Sequence, residues 1–417
     1  MRAQESRSAQ GRLAAIYVSI GIAAVAYGGS QVVMSWLVIA STGSAVVVGL
    51  LFALRMTPLL IAGGVAGTLA DRMPRSDLLV LTNSATMVVF AVLATSLFAS
   101  APALPVLFLA ILALGCIDAI RLTTTSTLVV DAAPATSASR AIAMSQVASR
   151  AGAALGGLVF GVVLATGGSV AAFAVAAALS GVAALTLRSV HVPSHASVAR
   201  HAFTREMRDG LGLIRRHRAV ALLATIAIIA EILGFSNDGL LPVFASKVLL
   251  LGAEGLGLLY MAVRIGSVVG LLILMSTGAR FSGVALLAMV LIFGVSLVGF
   301  GASTAVLPSL ILLGVAGSAA SCIDALEQSL LQGAVDDSER GRAMGLWTIC
   351  LGFGPLGFVA LGILAGLVGV QLAQIIAGGA MAIAAIGLAV WPGTIGVLRG
   401  TRSVAAEVEP GIPSLIE

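Results

Sequence analysis

Residues 67–75 read Gly67-Thr68-Leu69-Ala70-Asp71-Arg72-Met73-Pro74-Arg75, a short charged stretch between two apolar runs at 44–70 and 78–100. A helix needs about 20 apolar residues to cross the hydrocarbon core of a bilayer, and each run supplies them. The joining stretch carries arginines, which accumulate on the cytoplasmic side of membranes. It therefore defines both a unit, two spans joined by a tight cationic turn, and the side on which that turn lies.

Outward from this unit the pattern repeats. Apolar stretches at 14–40, 44–70, 78–100, 104–130, 141–166, 168–188, 219–247, 254–277, 282–304, 307–333, 343–368 and 370–391 make twelve spans. The whole 417-residue chain is 59% hydrophobic and 10% charged, whereas a soluble domain carries about a quarter charged residues. A water-soluble fold and a disordered chain are both excluded. The 49 glycines against 3 Tyr and 3 Trp suit helices packed closely in lipid, where small residues let backbones approach. The expected fold is an all-α membrane protein.

Placing the N-terminus in the cytoplasm puts eighteen arginines on that side and only Lys247 on the other, with Arg55, Arg121, Arg150 and Arg264 inside spans. Both termini are then cytoplasmic and the outer loops are very short. The first apolar run lacks a cleavage pattern and is expected to be retained. Cys116, Cys322 and Cys350 lie in apolar runs without metal-ligand spacing and are expected to fill the core. No metal or cofactor is expected.

The longest polar segment, 189–218, holds all four histidines and follows the sixth span. It divides the chain into an N-terminal segment 1–13, a six-span bundle 14–188, the linker 189–218, a second six-span bundle 219–391 and a tail 392–417. The 205–218 part of the linker reads either as a solvated cationic connector or as an amphipathic helix on anionic headgroups. Residue matches between the halves indicate duplication: Gly49-Leu50-Leu51 with Arg55 answers Gly257-Leu258-Leu259 with Arg264, Cys116-Ile117-Asp118-Ala119 answers Cys322-Ile323-Asp324-Ala325, and Gly152 answers Gly354. Two similar bundles joined by a linker are the architecture of a transporter that rocks around a central site.

The 67–75 stretch resembles the signature between spans two and three of the major facilitator superfamily, with Pro74 where that signature has glycine. Ser35-Trp36-Leu37-Val38, Arg55 before Pro58-Leu59-Leu60, and Arg340-Gly341-Arg342-Ala343-Met344 are similar to the branch containing enterobactin exporters and macrolide-efflux-like proteins. The resemblance covers 14–391 and implies two pseudo-symmetric six-helix bundles. It also implies a cytoplasmic gate built on Gly67, Asp71, Arg72 and Arg75, with Glu339 and Arg342 as partners before span eleven. An aspartate at a helix junction favours the positive N-terminal end of a neighbouring helix. Gly152, Gly156 and Gly157 resemble an antiporter signature in span five, with Ala153 in place of its proline, and Gly354-Pro355 is the counterpart in span eleven. Close packing between halves and generic helix packing both account for these residues.

An ionisable group near the bilayer centre costs roughly 2.5–3.5 kcal/mol even on permissive scales, so each asks for a partner, a wet cavity or a function. Asp118 and Arg121, three residues apart in span four, can pair on one helical face. Span ten carries Asp324 and Glu327, and span seven Glu231 and Asp238. Glu231, Asp238, Asp324 and Glu327, with Asp118 behind them, are candidates for proton coupling or substrate contact. Arg55, Arg121, Arg150 and Arg264 are their cationic partners or contacts to an anionic substrate. Tyr27, Gln31 and Asn237 are candidate cavity residues.

These observations point to a secondary transporter, not an enzyme, that exports a small amphipathic molecule (a drug, a macrolide-like compound or a siderophore) by proton antiport and alternating access. A proton-coupled importer and a non-transporting sensor or scaffold are the alternatives. The expected setting is the plasma membrane of a bacterium, as a monomer, with protons, lipid and a small-molecule substrate as partners. Nucleic acid is not among them, because the arginines belong to the inward-facing loops.

Overall fold

The computed structural model describes residues 2–70, 73–99, 104–133, 138–188, 190, 210, 212–276, 282–336 and 339–400. Every regular element among them is helical. Ten helices are long and apolar enough to cross a membrane. One of these, Arg140–Leu187, holds two spans, and helix Ala45–Ala70 supplies a further one. Together they give the twelve expected spans.

The element bounds depart from the sequence expectation at four places. The first helix runs from Arg2 to Thr42, so the polar residues from Arg2 onward continue span one. Span five is already helical at Ala138, and it gives way to span six at Gly168, with φ 71° and ψ −177°, a conformation that suits glycine. The chain reverses there: the Ala148 carbonyl lies beside Gly21, and the Ser19 hydroxyl donates to the Ala183 carbonyl at 2.8 Å. Residues 148 and 183 thus stand at one level.

Span seven is the third departure. It is α-helical over Arg218–Ile229, widens to a π-turn over Ala230–Gly234, tightens to a 3-10 turn over Phe235–Gly239 and resumes at Leu241–Lys247. Span eleven is likewise interrupted, as Arg340–Leu351 and Gly354–Val368. Pro355 sits in the first turn of the second piece, where its missing N–H is tolerated. The two interruptions face each other, since a Cβ on Gly357 would lie 2.7 Å from the Ile232 carbonyl.

Packing differs between the two ends of the bundle. At the end away from the linker, one buried cluster unites both halves and includes Val38, Val48 and Phe52 with Leu241, Phe244 and Leu361. Phe52 of span two stacks on Phe358 of span eleven at 5.2 Å, and the Lys247 ammonium donates to the Gly43 carbonyl at 2.6 Å. Toward the linker the core separates into two clusters. One, around Ile16, Leu79, Val129 and Leu187, belongs to the first half; the other, around Leu223, Leu286, Leu330 and Leu346, belongs to the second. Leu109, Leu185 and Ile383 face outward, as lipid-facing positions do. Cys322 and Cys350 are buried as expected, whereas Cys116 is exposed on the outer face of span four.

The halves touch backbone to backbone along two seams. Gly49 of span two meets the Phe358 carbonyl of span eleven, and Gly257 of span eight meets the Gly157 carbonyl of span five. Gly152 and Gly156 instead pack within the first half, against Gly21 and Val25 of span one. Replacing Gly257 with leucine should force spans five and eight apart and cost about 1–3 kcal/mol, the usual range for overpacking. A fall of the melting temperature in detergent is the expected result; an unchanged melting temperature would contradict this seam.

Candidate functional site

Between the halves lies a cavity of about 490 Å³. It is lined by span one (Ile16, Ala23, Tyr27, Gln31), span four (Asp118, Arg121), span seven (Glu231, Asp238) and span eleven (Trp347, Phe358), among others. Its lining reaches Leu79, Ile142 and Leu187 near the linker end, and the joint cluster with the Phe52–Phe358 stack closes the opposite end. Among the described residues, the site is therefore open toward the linker and sealed away from it. A side pocket of about 290 Å³ extends into the second half, past Asn237, Ser267, Ser321 and Asp324.

On the first-half wall, Asp118 is shared by two arginines. Arg55 donates from Nη2 and Nε to Oδ2 at 3.0 and 3.2 Å, and Arg121 from Nη2 to Oδ1 at 2.7 Å. Arg55 also donates to the Ser30 hydroxyl at 3.2 Å. Both guanidiniums flank Tyr27, at 4.4 and 5.5 Å from the ring centroid, a cation–π arrangement. Gln31 donates to the Tyr27 hydroxyl at 3.3 Å. The sequence pairing of Asp118 with Arg121 is present, but Arg55, only 7% exposed, is the more buried partner.

On the second-half wall, Arg264 donates to Asp238 Oδ2 at 3.0 Å, and the Tyr260 hydroxyl donates to the Asp238 carbonyl at 3.0 Å. Asp324 faces Arg150 of span five at 3.7 Å, an ion pair that crosses between the halves. Two carboxyls differ from these. Glu231 stands in the π-turn and lines the cavity; Glu327 lies one helical turn beyond Asp324 in span ten. They are 6% and 2% exposed, and no cation among the described residues stands within ion-pair distance of either. Glu327 Oε1 and Asn237 Oδ1 are buried without a hydrogen-bond partner. Gly354 sits so close to Glu231 that a Cβ there would lie 3.1 Å from Oε2.

The residues expected to form a gate are only partly described. Asp71 and Arg72 lie outside the described residues, and Gly67 falls within helix Ala45–Ala70. Arg75 pairs with Asp131 at the end of span four, a partner that sequence reasoning passed over although it is an acid on a cationic face. Glu339 lies 3.3 Å from His217 and 3.7 Å from Arg342, so the end of the linker touches the start of span eleven. Tyr27 and Gln31 line the cavity and Asn237 the side pocket, together with Gln146, Ser149 and Trp347, which were not singled out from the sequence. The spacing of Gln146, Ser149 and Arg150 on one face of span five is a signal that could have found the first two.

The model of the Major Facilitator Superfamily matches residues 16–283. The chain is 24% identical over 349 residues to the staphyloferrin A transporter of Staphylococcus aureus (strain NCTC 8325 / PS 47), covering 82% of this chain and 86% of that protein. Among solved structures it is similar to a bacterial homolog of the human lysosomal transporter Spinster in an inward-facing, unoccupied conformation, with TM-score 0.72, 13% identity and coverage of 94% of this chain and 98% of that one. It is also similar to the nucleoside transporter NupG, with TM-score 0.70, 14% identity and coverage of 90% and 98%. At such identities the structural likeness speaks for the fold alone.

The shared carboxylate yields an ordering. Asp118→Asn leaves the buried Arg55 and the half-buried Arg121 without a counter-charge and should cost on the order of 3–5 kcal/mol. Arg121→Gln leaves the Arg55–Asp118 pair intact and should cost less than half as much. Thermal unfolding in detergent checks this; equal losses for the two variants would contradict the shared arrangement.

Proposed function

Because this multi-pass membrane transporter belongs to the major facilitator superfamily, we propose that it exports a small amphipathic molecule in exchange for protons, by alternating access to the cavity between its halves. The observation that carries the reading is a cavity that, among the described residues, is open at one end, sealed at the other, and lined by Glu231, a carboxyl with no cation in reach. In this reading the linker end faces the cytoplasm of a bacterium, both termini lie inside, and the cavity is ready to load cargo. The arginine distribution supports that orientation through the positive-inside rule.

Glu231 and Glu327 are the coupling groups in this proposal. An ionised carboxylate sealed from water without a counter-charge costs several kcal/mol, and taking up a proton removes that cost. Rocking the halves changes which side wets the cavity wall, so a proton gained from one side is released to the other. Asp238 and Asp324, held by Arg264 and Arg150, act instead as charged struts, the second of them bridging the halves. Cargo of drug, macrolide or siderophore type fits the cavity's mixture of apolar and charged walls, and the relative named as a staphyloferrin A transporter favours the siderophore option. The gate role of Asp71, Arg72 and Arg75 is part of the same proposal.

The test is transport into everted vesicles under an imposed pH gradient, with fluorescent drugs, a macrolide and a siderophore as cargo. Wild type should accumulate at least one of them in an uncoupler-sensitive manner. Glu231→Gln and Glu327→Gln should each reduce gradient-driven accumulation at least tenfold, while Asp238→Asn should act mainly through protein stability. Uptake that ignores uncouplers, or full coupling in both glutamine variants, would sink the antiport reading.

A further inference from the structure

The cavity walls carry opposite surplus charge. On the first-half wall Arg55 and Arg121 share the single carboxylate of Asp118, both of whose oxygens are already engaged. One positive charge is left over. Arg121 is 21% exposed and donates to Asp118 through Nη2, so most of its five N–H donors remain available to the cavity. On the second-half wall the Asp238–Arg264 pair and the cross-half Asp324–Arg150 pair each balance. Glu231 does not: it is more than nine-tenths buried, lines the same cavity and has no cation among the described residues.

A ligand between these walls meets a guanidinium surplus on one side and an uncompensated carboxylate on the other. A purely cationic ligand satisfies Glu231 and leaves the arginine surplus unanswered; a purely anionic ligand does the reverse. We propose that the substrate is dipolar, with a carboxylate or similar anionic group bound at Arg121 and Arg55 and an ammonium group bound at Glu231, its apolar body lying between Phe52, Phe235 and Trp347. This inference rests on the transport reading above and names the chemical class of its cargo. Glu231 then holds either a proton or the substrate's ammonium group, and the exclusion of one by the other is what an exchanger needs.

The class is tested by binding in detergent without any gradient, so that a failure of proton antiport leaves the result intact. Four forms of one scaffold serve as probes: Nε-dansyl-lysine, its methyl ester, its Nα-acetyl derivative and the doubly blocked Nα-acetyl methyl ester. They are a zwitterion, a cation, an anion and a neutral molecule of nearly equal size. Quenching of protein tryptophan fluorescence by the dansyl group, Trp347 being in the cavity, reports affinity. The zwitterion should bind about tenfold or more tighter than either singly charged form, in keeping with the coupling of close charge pairs, and the neutral form should bind weakest. Arg121→Gln should abolish the preference for a free carboxylate, Arg121→Lys should restore part of it, and Glu231→Gln should abolish the preference for a free ammonium group. Each variant is compared only across the four probes, so a general loss of fold lowers all four together and does not imitate the predicted pattern. Equal affinities for all four forms, or tightest binding of the cation or the anion alone, would overturn the proposal.

Discussion

Removing ionised groups from water is the constraint to which the centre of this molecule answers. A buried charge persists when it is paired and hydrogen-bonded, and is costly otherwise. Asp118 meets that demand by binding two arginines at once, Asp238 by taking Arg264, and Asp324 by reaching across the interface to Arg150. Among the described residues Glu231 and Glu327 are the exceptions, and Glu231 sits where spans seven and eleven both depart from α-helical geometry. The π-turn at Ala230–Gly234 and the interruption before Gly354 mark this region, in line with the tendency of π-turns to occur at functional sites.

The two halves meet along backbone seams. Where Gly257 meets Gly157 and Gly49 meets Phe358, the contacts are between main chains and involve little interlocking of long side chains. The Phe52–Phe358 stack and the Lys247–Gly43 hydrogen bond add side-chain contacts between the halves at the sealed end. The Arg150–Asp324 pair crosses between the halves and lines the side pocket.

Much of this was legible in the sequence, because hydrophobic length and arginine distribution are set by the bilayer itself. The twelve spans follow from that, whereas the family resemblance rested on particular residues, those at 67–75 and 340–344 above all. The pairing of Asp118 with Arg121 was readable from helical spacing, but the part played by Arg55 was not, since its partner lies in a different span. Span seven read as one uninterrupted run because hydropathy does not register a change of helical pitch; Gly234, Gly239 and Pro242 were the available hints. Gly152 and Gly156 looked like an interface between halves, yet they pack on span one, as glycine spacing shows that a close neighbour exists without saying which. Asp131 and His217, the partners found for Arg75 and Glu339, stood at span ends where an acid or a histidine draws little notice.

The central claim is that access to the cavity alternates between the two ends. Spin labels at Arg140 and Asp336 report the linker end, and labels at Ser41 and Leu250 the sealed end; all four positions are exposed. Electron–electron distance measurements on both pairs in lipid nanodiscs, from alkaline to acidic pH, test it most directly. The account predicts that the two distance distributions shift in opposite senses, one end narrowing as the other widens. Distances that stay fixed at both ends, or that change in the same sense, would contradict it.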